Sequence, residues 1–167
     1  MLIEDFMLAA NETVAEDFFW QQVPFVFRVH EKPDAEKFQQ LSLAIENFGH
    51  FIRIRDDESI RPKEVQKLLD AIVGTPEEPI IKTMTLRSLK QARYSTECSG
   101  HFGLAAKYYC HFTSPIRRYP DLQIHRIIKE DLRGELDKRR LEHYKNLLPA
   151  VADRSSTLER RADEAER

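Results

Sequence analysis

"HFTSPIRRYPD", residues 111–121, sets two adjacent arginines between a Thr-Ser-Pro turn and a Tyr-Pro-Asp turn. Pro115 fixes the backbone just before Ile116-Arg117-Arg118, and Pro120 is suited to open a helix just after them. Downstream, Leu122, Ile124, Ile127, Ile128 and Leu132 recur at helical spacing and Gly134 supplies a stop, so the stretch divides a turn from a helix. Two readings of the charges stand side by side. A guanidinium on a stiffened turn suits the paired oxygens of a phosphate. Thr113 and Ser114 would add hydroxyl donors, and the first turn of the helix its N–H groups. Alternatively, the pair bridges to Asp121 or Glu130 on a solvated face.

Just upstream lies "YSTECSGHFGLA", 94–105, a polar stretch whose two glycines let backbone approach a ligand closely. Cys98 or Ser99 with His101 gives a nucleophile–base reading, but no GxSxG elbow or third member accompanies it. A glycine-shaped turn holding a satisfied histidine reads the same residues more simply. "HFGLAAKYYCHFT" has a mixed period, extended or partly helical, and "PEEPIIKTMTLRSLKQARYS" reads as helix after Pro79.

Toward the N-terminus, residues 2–21 read as a helix with Ile3, Phe6, Ala10, Val14 and Phe18 as its apolar stripe. "PFVFRVHE", 24–31, alternates like a short strand. Asp34 caps a helix carrying Phe38, Leu41, Ile45 and Phe48, which Gly49 ends. Pro62 opens another, with Val65, Leu68, Leu69, Ile72 and Val73 on one face and Gly74 as its stop. From about Asp137 the chain reads as one or two highly charged helices interrupted near Pro149, and "LERRADEAER" has the opposite charges of an exposed, salt-bridged helix. "RDDES", 55–59, is a dense carboxylate run; a metal role is weighed there against simple solvation.

The whole chain bounds these readings. Its 167 residues, 41% of them hydrophobic, can bury a real core, and no apolar run approaches the roughly 20 residues that span a bilayer. No membrane association is expected. The net charge of −2 makes any anion site local. Two cysteines read as reduced thiols of a cytoplasmic protein, not as a disulfide framework. Neither end carries a cap, so both read as cut from a longer protein. The fold class is α+β, mostly α-helical, with a few short strands whose sheet partners are expected to lie outside the chain.

Four segments together, "LIEDFMLAANETVAE", "PFVFRVHEKPD", "LRSLKQARYSTECSGHFGLAAKYYCHFTSPIRRYPDLQIHR" and "LERRADEAER", resemble the RNB catalytic domain of the ribonuclease II/ribonuclease R family, nearest to its bacterial ribonuclease R branch. The match runs from residue 2 to the last residue. It implies a processive 3′→5′ exoribonuclease that hydrolyses single-stranded RNA from the 3′ end to nucleoside 5′-monophosphates, with magnesium as the full-length protein's cofactor. By the same resemblance Arg117 is the catalytic arginine. Glu4 and Glu166 are associated with holding the 3′-terminal nucleotides, and His101, Thr113, Ser114 and Arg118 with lining the RNA site.

In that family the magnesium-holding aspartates precede the "LIEDFM" helix, and RNA-binding modules flank the domain. The chain is therefore expected to be the C-terminal portion of an RNB domain over 1–167. A core part spans about 1–134 and charged C-terminal helices about 135–167. It is expected to hold no metal, to be inactive alone, and to self-associate through surface exposed by truncation. The alternative is a non-catalytic RNA-binding or protein-interaction module on a degenerate RNB scaffold.

Overall fold

The computed structural model describes residues 2–52 and 60–166, so the carboxylate run at 55–59 lies outside the described residues. Helices dominate: α1 (Leu2–Trp20), α2 (Ala35–Glu46), α3 (Pro62–Ala71), α4 (Glu78–Ser88), α5 (Tyr119–Leu132) and α6 (Lys138–Ala165). Two strands, β1 (Phe27–Val29) and β2 (Arg93–Ser95), pair antiparallel with Arg28 opposite Tyr94. The α+β, mostly helical class is what the chain adopts. No described helix is long and apolar enough to cross a membrane.

The chain divides into two compact units. One comprises His30–Gln91 and Phe102–Ala105. Here the Asp34 carboxylate accepts the Glu36 N–H at 3.0 Å, starting α2 where the sequence places its cap. Phe38, Leu41 and Ile45 then turn inward at helical spacing and pack with Val65, Leu68, Ile72 and Ile81. Fully burying each such side chain stabilises by roughly 1.5–3 kcal/mol. Phe48 and Val73, expected on the inner faces, are exposed because each lies past the last turn of its helix.

The other unit holds Met1–Val29, Ala92–His101 and Ala106–Arg167. Its core gathers Ala15 and Phe18 of α1, Phe25 and Phe27, Tyr94 of β2, Ile124 and Ile127 of α5, and Tyr144, Leu148 and Ala152 of α6. The Phe18 and Phe25 rings stack at 4.9 Å. Three expectations are corrected in this unit. The buried face of α1 is Asn11, Ala15 and Phe18, whereas Ile3 and Phe6 are exposed, since the first two turns run beyond the core. Residues 93–95 are strand, not helix: α4 stops at Ser88, and pairing with β1 together with burial of Tyr94 overrides local helical preference. Pro149 does not interrupt the C-terminal region, and α6 runs through it for 28 residues. The missing N–H costs one backbone bond, while Tyr144, Leu148, Val151, Ala152 and Ser156 keep one continuous buried stripe on both sides of it.

Candidate phosphate-binding site

The site is assembled in the second unit, beginning with a buried amide. Asn11 of α1 donates from Nδ2 to the Tyr109 hydroxyl at 3.1 Å, and its Oδ1 accepts the Phe112 N–H at 3.0 Å. Its carbonyl also accepts the Cys110 thiol at 3.3 Å. Burying an amide is tolerated only when it is paired, and here both ends are. His125 of α5 fixes the other side of the segment: its Nε2–H donates to the Phe112 carbonyl at 2.9 Å, and its ring stacks on Phe112 at 4.5 Å. The chain therefore enters the arginine turn from a segment held at both edges.

The turn itself closes on Asp121, in the first turn of α5 and wholly buried. One oxygen, Oδ1, accepts the Ser114 N–H at 2.8 Å together with Arg118 Nε at 3.1 Å and Nη2 at 2.8 Å. The Arg118 N–H and the more distant Arg117 N–H both point back to the Ser114 carbonyl, at 3.1 and 3.4 Å. A carboxylate there also suits the positive end of the α5 dipole. Asp121 Oδ2 and the Thr113 hydroxyl oxygen are buried without a hydrogen-bond partner among the described residues.

The twin arginines consequently part ways. Arg118 bridges to Asp121, one of the two alternatives the sequence leaves open, although the partner is buried and not on a solvated face. Arg117 is exposed, and no hydrogen bond or ion pair involves its guanidinium among the described residues. Ile116 beside it is fully exposed.

Behind the turn sits a group that inspection of residue types passes over. His111 shares a 2.9 Å hydrogen bond with the Tyr94 hydroxyl through Nδ1. Burial pushes its pKa down to about 3, and Arg118, Arg28, His101 and Arg117 add to the effect. Burial likewise pushes the Tyr94 hydroxyl up to about 12. Arg28 of β1 lies over the Tyr94 ring at 4.7 Å and donates to Glu159 of α6 at 2.6 Å. The result is two ion-paired arginines, Arg118 with Asp121 and Arg28 with Glu159, around His111 and Tyr94, which stay neutral at ordinary pH.

The remaining predicted residues occupy other parts of this unit. The His101 ring meets Tyr109 edge-on at 5.2 Å, and Tyr109 in turn meets His111 at 5.9 Å. Glu4 is exposed in the first turn of α1, seven residues before Asn11, which is about 10 Å along the helix axis. Glu166 is the exposed C-cap of α6, seven residues past Glu159 and by the same measure about 10 Å beyond the Arg28 contact. The Cys98 thiol points at the Lys107 carbonyl, 3.7 Å away, and burial raises its pKa, the reverse of an activated nucleophile. Among the described residues no group of three His, Cys, Asp or Glu side chains is placed to hold a metal ion. The residues at the turn do not fit magnesium either, since Asp121 is enclosed and paired with Arg118.

A family model for the RNB domain matches residues 1–134. The chain belongs to the RNB family. This RNB chain is 46% identical over 166 residues to ribonuclease R 1 of Lactococcus lactis, covering 99% of the chain and 20% of that protein. It is also 46% identical over 167 residues to ribonuclease R of Thermotoga maritima, covering 99% of the chain and 23% of the relative. Among solved structures, Mycoplasma genitalium RNase R in complex with ribose-methylated single-stranded RNA superposes with a TM-score of 0.85 at 31% identity, over 94% of the RNB chain and 25% of that protein. The RNB chain thus spans about a fifth to a quarter of the length of these relatives.

Proposed function

We propose that residues 1–167 form the C-terminal portion of an RNB exoribonuclease domain and furnish the arginine side of its active site. The parent enzyme hydrolyses single-stranded RNA from the 3′ end to nucleoside 5′-monophosphates in the cytoplasm. Magnesium is its cofactor, held by aspartates outside these residues. Arg117 is the catalytic residue, contacting the scissile phosphate and neutralising charge that builds on its oxygens. His101, Thr113, Ser114 and Arg118 line the RNA path, and Glu4 and Glu166 meet the terminal nucleotides.

The observation that carries this reading is the separation of the two arginines. Arg118 is tied to a buried carboxylate, whereas Arg117 presents its guanidinium to solvent and meets no acidic side chain among the described residues. A charged fork on a rigid turn with no acidic partner of its own is suited to a phosphate.

Titrating the chain with fluorescein-labelled single-stranded RNA at several salt concentrations tests it. Arg117→Ala is expected to weaken binding and to lower the slope of log K against log salt by about one, the signature of one lost phosphate contact. Unchanged affinity across salt would rule out the clamp. Incubated with RNA and Mg²⁺, the chain alone is expected to release no nucleoside monophosphates; steady release would show that it holds a complete site.

A further inference from the structure

We propose that Asp121 is a positioning residue: it binds Arg118 into the fold and thereby aims Arg117 at RNA. The proposal rests on the phosphate-clamp reading of Arg117 and extends it to a wholly buried side chain.

The geometry comes first. A single oxygen of Asp121 takes the Ser114 N–H from one end of the turn and two donors of the Arg118 guanidinium from the other. Between these anchors lie only Pro115, Ile116 and Arg117. Pro115 restricts its own backbone, and the Arg117 and Arg118 N–H groups close back on Ser114. The direction of Arg117 is therefore set by two fixed ends with three residues between them. Asp121 itself cannot swing away, because it is wholly buried in the first turn of α5. Freed from Asp121, Arg118 would compete for any phosphate that approached, and the turn would lose one of its two anchors.

Electrostatics alone predicts the opposite. A carboxylate this close to a bound phosphate repels it, so neutralising Asp121 should tighten RNA binding. The positioning role predicts that neutralising it weakens binding. The two accounts differ in sign.

The test uses the 167-residue chain and a fluorescein-labelled single-stranded RNA oligonucleotide, read by anisotropy, in a four-member cycle of wild type, Arg117→Ala, Asp121→Asn and the double variant. Arg117→Ala is expected to weaken binding roughly tenfold. Asp121→Asn should weaken it roughly three- to tenfold in the wild-type background and have no effect once Arg117 is alanine. Unchanged or tighter binding by Asp121→Asn overturns the proposal, and so does an equal loss in both backgrounds, which marks a merely structural role. Should Asp121→Asn lose its helical circular dichroism, Asp121→Glu replaces it in the cycle. Glutamate keeps the charge but displaces the carboxylate by one methylene from the Ser114 N–H and the Arg118 guanidinium, so affinity should again fall only where Arg117 is present, and an equal fall in both backgrounds overturns the proposal. If Arg117→Ala itself leaves affinity unchanged, the clamp reading fails at its own step, separately from any result at Asp121.

Discussion

Acidification should weaken the fold through His111, by an amount that follows from its surroundings. Its pKa falls from the ordinary 6.5 to about 3 on folding, chiefly through burial. Between those values the unfolded chain binds a proton at residue 111 that the folded chain does not, so stability rises with pH across the window and is lost as pH falls through it. From pH 7 to pH 5 this single group removes about 2 kcal/mol, taking one pKa unit as about 1.4 kcal/mol. Urea unfolding followed by fluorescence of Trp20, the only tryptophan, reports on the unit that contains His111. His111→Asn supplies the control, because its amide can still meet the Tyr94 hydroxyl but does not titrate. Wild type is expected to lose about 2 kcal/mol more than His111→Asn between the two pH values. Parallel losses would falsify the assignment of a neutral, buried imidazole behind the arginine turn.

Three further outcomes follow from individual contacts. Arg28→Ala removes both the Glu159 bond and the cation over Tyr94, and should destabilise by about 1–3 kcal/mol in the same assay. Adding Glu159→Ala to it should change little, and full additivity would show that the pair is not coupled. Gly100→Ala should melt at a lower temperature than Gly49→Ala by circular dichroism: both glycines have positive φ, but a Cβ at Gly100 would sit 3.1 Å from the Ala106 carbonyl oxygen while one at Gly49 meets nothing within 4 Å. The reverse order would contradict the close approach of backbone there. Native chain should react slowly with a thiol-specific disulfide reagent at neutral pH and quickly in urea, since burial raises the pKa of Cys98 and Cys110 is fully enclosed. Fast native labelling of one thiol per chain would revive the nucleophile reading of Cys98.

Where structure follows from neighbours in sequence, the sequence was readable. Asp34 and the Phe38, Leu41, Ile45 spacing define α2 from within, because a cap and a helical stripe are local devices. β2 is only three residues long, and its partner lies more than sixty residues away, so nothing near Tyr94 announces it. Pro149 was a true signal with a misjudged weight, since the buried stripe of α6 outlasts one lost hydrogen bond. The site divides in the same way. The turn that carries Arg117 is legible because two prolines punctuate it. His111 and Tyr94 are seventeen residues apart, and Arg28 and Glu159 are separated by 131, so only folding introduces them. Asp121 was visible as a partner for the arginines but not as buried, and burial is what turns an ordinary surface pair into a brace.

Asn11 has a consequence for alignment along the molecule. Through its side-chain amide and its carbonyl it engages three points, Tyr109, Cys110 and Phe112, like a key seated in a slot. Sliding α1 by one helical turn would strand these buried polar groups, at about 1–3 kcal/mol each. The overhanging first turns of α1 therefore keep a set offset from the chain that leads into the arginine turn. Glu4, two turns out from the key, rides at a fixed station along that ruler.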